Sequence, residues 1–127
     1  MFRGGRNARG QSTVELALCL PALAIVLGFV VEVAMIAGDQ ARLWHGAREA
    51  ARVAVVDPDE SAIREAAARS GLDDVEVSVS PDSGYRVQGE PLEVVVKFRP
   101  EGHVPVVGSL FDDVELNASA TMRIEEP

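Results

Sequence analysis

The sequence predicts an α+β fold in which a long N-terminal helix packs on a three-stranded antiparallel sheet, with a short second helix between them. Three observations support this. A long apolar run near the start is followed by an alanine-rich segment with helical spacing, and from residue 75 apolar and polar residues alternate as in half-buried strands. Because three strands alone are marginally stable, we expect the helix to cover one face of the sheet.

The first element is a membrane-length helix, predicted over residues 11–38. The 23 residues from Leu16 to Gly38 carry one charge, Glu32. At about 1.5 Å per residue they extend about 34 Å, enough to cross a bilayer core of about 30 Å. A cleaved secretory signal would have a shorter apolar core ending at a small-residue site, so we expect this segment to be retained.

Charge predicts the orientation of this segment. Arg3, Arg6 and Arg9 precede it without any acidic residue. The positive-inside rule therefore predicts a basic cytoplasmic leader over residues 1–10 and an exported soluble domain over residues 39–127.

Composition excludes several classes of function. Residues 11–127 hold nine basic and twenty acidic residues, a net charge of −11, which disfavours nucleic acid as a ligand.

The single cysteine, Cys19, lies in the apolar run, where we expect a lipid-facing side chain; lipidation or an intermolecular bridge are the alternatives. His45 and His103 are the only histidines, without metal-ligand spacing, a nucleophile motif or a phosphate-binding loop. We expect no enzyme activity, cofactor, metal or small-molecule substrate.

The helix is predicted to continue beyond the membrane to about residue 56, giving a total of about 35 to 40 residues, with any bend at Pro21 or Gly38. Gly38 and Gly46 are expected to weaken it by up to about 1 kcal/mol each relative to alanine. Its predicted packed face is Leu43, Trp44, Ala47, Ala50, Ala51, Ala54 and Val55, and its polar face Arg42, His45, Arg48, Glu49 and Arg52.

A short second helix is predicted over residues 58–70. Asp57 is expected to cap it, with Pro58 at the first helical position and Glu60 completing a capping box. Gly71 is suited to the left-handed conformation that ends a helix.

The antiparallel sheet is predicted over residues 74–125. Its strands are expected at residues 75–79, at residues 92–98 and from Val114 onward, and residues 85–87 are expected to pair briefly. The connection at residues 100–113 is long and partly apolar. We expect it to pack on the sheet or on the membrane-proximal helix; the alternative is a docking surface for a partner.

Several motifs together resemble one family. Gly10 and Glu15 precede the apolar run, with the sequence from Val14 to Leu18 followed by Leu20-Pro21. An Ala-Arg-Glu-Ala-Ala-Arg segment follows at residues 47–52, and an Ala-Ser-Ala-Thr-Met-Arg strand at residues 118–123. This ordered combination resembles the TadE-like family of tight-adherence pilus proteins.

The resemblance implies a pilin-like fold and the role of a membrane-anchored minor pilin or pseudopilin in a type IV-like pilus. It implies cleavage by a prepilin peptidase between Gly10 and Gln11, in the bacterial cytoplasmic membrane. Other pilins and the inner-membrane assembly machinery are the implied partners. The alternative is an uncleaved bitopic envelope protein whose outer domain is a partner-binding scaffold or secretion accessory factor; sequencing the mature N-terminus separates the two.

Charged residues of the helix suggest sites of assembly. Glu15 is predicted to set subunit register by pairing with the ammonium that cleavage creates at Gln11 of a neighbouring copy; the alternative is that it faces water at the membrane surface. Glu32 either reaches toward the outer headgroups or faces a partner helix. The helix flank formed by Arg48, Glu49 and Arg52 is either a solvated salt-bridge face or a contact with the sheet or a neighbour.

Overall fold

The computed structural model describes the backbone of residues 7–125 and the side chains of residues 10–125. Residues 1–6 of the predicted leader, with Arg3 and Arg6, lie outside the described part. The architecture confirms the α+β prediction of a long helix, a short helix and a three-stranded antiparallel sheet. In chain order the elements are α1 (Asn7–Ala54), α2 (Glu60–Ala68), β1 (Glu76–Ser80), β2 (Pro91–Phe98) and β3 (Leu116–Arg123).

Helix α1 is longer than the 35 to 40 residues expected, with 48 residues that run through Pro21. Side chains of residues 11–27 are exposed on every side, whereas Gly28 is the first described residue of α1 that the rest of the chain partly covers. Among the described residues, this one helix is long and apolar enough to cross a membrane. It therefore has a bare apolar half and a half that belongs to the folded domain.

The outer half of α1 provides one face of the core. Leu43, Ala47, Ala50 and Ala54 are completely buried against the sheet, since their spacing places them on one side of the helix. Trp44 is the exception to the predicted packed face, with 42% of its surface exposed. One position beyond Leu43, it lies at the margin of the buried stripe.

The sheet has the order β1-β2-β3, with both neighbouring pairs antiparallel. The central strand β2 alternates strictly, so that Leu92, Val94 and Val96 are buried beneath α1 while the residues between them are more exposed. Gln40 Nε2 donates to the backbone oxygen of Asn117 at 2.9 Å, which joins α1 to the start of β3.

The start of α2 corrects the predicted cap. Asp59, and not Asp57, is the N-cap: it has extended backbone angles and accepts a hydrogen bond from the Ser61 backbone N–H at 3.0 Å. Asp57 instead accepts from the N–H of Asp59 at 2.9 Å, so Pro58 precedes the helix. Gly71 has the expected left-handed conformation, with φ of +80°.

Residues 85–87 do not form the brief strand that was expected. Ser83–Tyr85 is a 3-10 turn, and Arg86 is buried behind it, with 7% of its surface exposed. Arg86 Nη1 donates to the backbone oxygen of Ala54 at 3.2 Å. The last carbonyls of a helix lack partners within the helix, and Arg86 therefore completes the end of α1.

Gly46 is a contact position between the two helices, a role that its helix propensity did not predict. A Cβ atom there would lie 2.9 Å from the backbone oxygen of Ala67 and 2.9 Å from Ser70 Cβ. The absence of a side chain thus lets α1 and α2 approach closely.

Candidate functional site

The predicted processing segment lies in the first turns of α1. Gly10 is exposed, and a Cβ atom there would meet nothing within 4 Å. Gln11 Nε2 donates to Glu15 Oε1 at 3.3 Å, across one helical turn, and both residues are exposed. This end of the helix is available to an enzyme or to a neighbouring subunit.

The predicted arginine flank faces away from the sheet. Arg48 and Arg52 are exposed, and Arg52 Nη1 lies 3.5 Å from Glu49 Oε1. An exposed pair at this spacing contributes only a few tenths of a kcal/mol. The role of this flank in contacts with a neighbour stays a prediction.

A buried carboxylate on α1 is held by several hydrogen bonds from the loop at residues 100–113. Glu32 is completely buried. Its Oε2 accepts from the backbone N–H of Val104 at 2.8 Å, and both its oxygens accept from the N–H of His103 at 3.1 and 3.0 Å. Two successive backbone donors thus enclose the carboxylate, an arrangement suited to an anion.

The imidazole of His103 lies between two carboxylates of α1. Nδ1 is 3.4 Å from Glu32 Oε1, and Nε2 is 3.6 Å from Asp39 Oδ2. Glu32 and Asp39 are seven residues apart, so two helical turns place them on the same face. Asp39 is 6% exposed and also lies 3.9 Å from Arg42 Nη1.

Apolar contacts extend this attachment toward the bare half of the helix. A Cβ atom at Gly28 would lie 3.3 Å from Val107 Cγ2 and 3.4 Å from Val104 Cγ1, so the loop rests directly on the glycine. The rings of Phe29 and Phe111 are 5.5 Å apart between centroids. The connection at residues 100–113 therefore packs on the membrane-proximal helix, as expected in the first of the two alternatives.

These contacts correct both predictions for Glu32. Its side chain neither reaches to headgroups nor faces a separate helix, because the loop of its own chain surrounds it. Sequence reasoning missed this partner, since the contact joins positions 71 and 72 residues apart. The one available signal was a charge in an apolar segment, which needs a partner.

The chemistry of this cluster is attachment rather than catalysis. Both ring nitrogens of His103 face carboxylates, so neither is placed to take a proton from a nucleophile. In residues 10–125 no group of three or more histidine, cysteine or acidic side chains has the geometry of a metal site.

Comparison with known protein families gives a match that lies within α1. The model of the TadE-like protein family matches residues 10–52. Residues 10–52 form a TadE-like segment. This confirms the resemblance over residues 10–52, the stretch that carries the N-terminal apolar helix.

The TadE-like segment begins at Gly10, contains Glu15 and Glu32, and ends at Arg52, two residues before the end of α1. It thus contains the bare apolar half and the helical side of the loop attachment, whereas α2, the sheet and the loop lie beyond it. No match was found among curated proteins or among solved structures.

Proposed function

We propose that this protein is a membrane-anchored minor pilin or pseudopilin that takes part in assembling a type IV-like tight-adherence pilus. The observation that best supports this proposal is the TadE-like segment. It starts at Gly10 and has Glu15 five residues later, at the edge of an apolar helix. The folded domain at the other end of α1 is the part offered to partners. Other pilins and the inner-membrane assembly machinery are the proposed partners.

The proposed processing is a cut between Gly10 and Gln11 by a prepilin peptidase on the cytoplasmic side. The bond lies four residues after the start of α1 at Asn7, where a helix end frays most easily. Gly10 has open space around it, so a peptidase can approach this turn. The new N-terminus of Gln11 would carry an ammonium about one helical turn from Glu15.

The proposed assembly role of Glu15 follows from the bare half of α1. Residues 14–27 are exposed and, apart from Glu15, apolar, which gives a surface suited to lipid or to other apolar helices. If copies pack side by side, a lone carboxylate among them is costly unless a cation pairs with it. The ammonium of a staggered neighbour would supply that cation and fix the register between subunits.

The proposed location is the bacterial cytoplasmic membrane, crossed once, with the folded domain on the extracytoplasmic side. The arginines before Gly10 support this orientation through the positive-inside rule. An exposed apolar helix of this length supports a membrane anchor.

The deciding experiment is intact-mass analysis of the membrane-extracted protein after co-expression with a prepilin peptidase. We expect the wild-type chain to lose residues 1–10 and to begin at Gln11. Gly10→Val should keep the full mass, because a branched side chain then occupies the residue at the cut. Gly38→Val is the matched control, since a Cβ atom at Gly38 also meets nothing within 4 Å.

An intact wild-type N-terminus in the presence of active peptidase would contradict the proposal. It would favour the uncleaved bitopic scaffold, in which the leader remains attached to the helix.

A further inference from the structure

The loop that holds Glu32 also carries two highly exposed apolar side chains. Val106 is 85% exposed and Leu110 is 74% exposed, while Val107 between them is buried toward Gly28. We call residues 105–110 the loop tip. Exposed apolar side chains four positions apart on one loop, with the side chain between them buried, point to an interaction surface.

The position of the loop tip along α1 indicates what covers it. A bilayer core of about 30 Å corresponds to about 20 helical residues. Counted from Gln11, this length ends at Val30; counted from Glu15, it ends at Ala34. Gly28, on which the loop rests, lies inside the core boundary in both cases. Tilting the helix moves the boundary still further along the chain.

The charged residues around the loop tip are distributed as expected for a segment at the boundary of the bilayer core. Residues 105–111 are uncharged, whereas Glu101 and His103 precede them and Asp112 and Asp113 follow. On α1, two backbone N–H groups and the imidazole of His103 enclose the Glu32 carboxylate and shield it from the exterior of the protein. The tip is therefore apolar, the flanking charged residues lie outside it in the sequence, and the Glu32 charge is enclosed. A segment at the edge of the hydrocarbon core requires this distribution of charge.

The backbone of the loop tip is largely self-satisfied, as a segment entering lipid requires. Gly108 N–H donates to Val104 O at 2.7 Å, and Val107 N–H donates to Pro105 O at 2.8 Å. The Ser109 hydroxyl donates to Val106 O at 2.6 Å, and Pro105 has no N–H to satisfy.

Val106 has an unfavourable conformation that its position explains. Its φ of +68° lies in the left-handed region, which β-branched residues avoid, at the centre of a tight turn. Glycine or asparagine would fold there more easily. Strain of this kind is retained where a side chain serves an interaction, and here it directs valine outward.

We propose that the loop tip inserts Val106 and Leu110 into the hydrocarbon edge of the leaflet on the side of the folded domain. The domain then contacts the membrane at two places, the helix and the tip, and keeps one height and orientation above the bilayer. The inference depends on α1 spanning the membrane and is independent of processing and of the pilus role.

The test places an environment-sensitive fluorophore on single cysteines of the full chain, with Cys19→Ser as background, in phosphatidylcholine vesicles. Val106→Cys and Leu110→Cys report on the tip. Tyr85→Cys is the matched control, because Tyr85 is 79% exposed and adjoins Arg86 at the opposite end of the domain. Leu18→Cys, at a residue 73% exposed, reports on the bare half of α1.

We expect labels at positions 106 and 110 to emit at shorter wavelength than at position 85. Phosphatidylcholine carrying a doxyl group near the headgroup should quench them severalfold more strongly, and iodide in the buffer severalfold more weakly. Equal behaviour of positions 106, 110 and 85 would overturn the proposal. Shorter-wavelength emission without doxyl quenching would also overturn it, indicating a contact with a second copy of the chain.

The label at position 18 separates this inference from its premise. If doxyl lipid quenches position 18 but leaves 106 and 110 unaffected, the helix spans the bilayer and the loop tip does not insert. If position 18 is also unquenched, the membrane anchor itself is wrong. Neither result bears on the cut after Gly10, which intact mass measures separately.

Discussion

The backbone N–H of His103 donates to both carboxylate oxygens of Glu32, at 3.1 and 3.0 Å, across 71 positions of the sequence. This contact fastens the loop at residues 100–113 to the helix that carries the anchor. Because Glu32 is completely buried, these hydrogen bonds are shielded from water.

Removing the carboxylate should release the loop. With Glu32→Ala, we expect amide hydrogen exchange at His103 and Val104 to accelerate by about one to two orders of magnitude, the range for losing hydrogen bonds to a charged acceptor. Glu32→Gln should have a smaller effect, since one acceptor oxygen remains. Exchange monitored by mass spectrometry in detergent micelles measures both.

Glu49→Ala is the control for the loss of a helical carboxylate, because Glu49 pairs only with exposed Arg52 among the described contacts of its side chain. It should leave exchange in the loop unchanged. Unaltered exchange in Glu32→Ala as well would show that the apolar contacts at Gly28 and Phe29 hold the loop without the carboxylate.

Glu15 should be needed for assembly but not for processing. Glu15→Ala removes the proposed partner of the neighbouring ammonium, so we expect pilus formation to fall severely while the mature mass still begins at Gln11. Electron microscopy and intact mass provide the two readouts. Gln11→Ala removes the side-chain donor to Glu15 but keeps the terminal ammonium, and should assemble. Normal pili from Glu15→Ala would refute the register role.

Two glycines of α1 should respond to alanine in opposite directions. Gly46→Ala places a Cβ atom 2.9 Å from the backbone oxygen of Ala67, and we expect overpacking to destabilise the domain by about 1–3 kcal/mol. Gly38→Ala meets nothing within 4 Å, so helix propensity should stabilise the protein by up to about 1 kcal/mol. Denaturant unfolding in a fixed detergent measures both free energies. Equal effects would show that α1 and α2 do not pack as closely as described.

The stabilisation that the Asp59 cap gives to the N-terminus of α2 should depend on pH in the acidic range. Hydrogen bonds from the Ser61 backbone N–H and hydroxyl hold the pKa of the Asp59 carboxyl below its ordinary value of 3.8. Since the folded pKa is the lower one, this contribution to stability is present above pH 3.8 and is lost as the pH falls through the folded pKa.

An NMR titration of the Asp59 side-chain carbon should therefore have its midpoint below 3.8. Ser61→Ala removes the hydroxyl donor and keeps the backbone donor, so the midpoint should move part of the way back. A midpoint that Ser61→Ala leaves unchanged would show that the hydroxyl does not contribute.

Local patterns in the sequence were enough to predict the main helices and strands. The apolar run, the helical spacing from Leu43 to Ala54 and the alternation in β2 each follow from a local period, and each was confirmed. Boundaries were less certain where two residues competed for one role. Asp57 and Asp59 are both good caps, and only the backbone angles at Asp59 decide between them.

The partners of the charged and small residues follow instead from contacts between positions far apart in the sequence. Glu32 accepts hydrogen bonds from a loop 71 residues away, and Arg86 donates one to the backbone oxygen of Ala54. Gly46 is where α2 packs closely against α1. No local period carries such information, because a buried polar group is satisfied by whatever donor the fold brings to it. The sequence left Glu32 between the outer headgroups and a partner helix; only the path of the chain in space showed that its own loop encloses it.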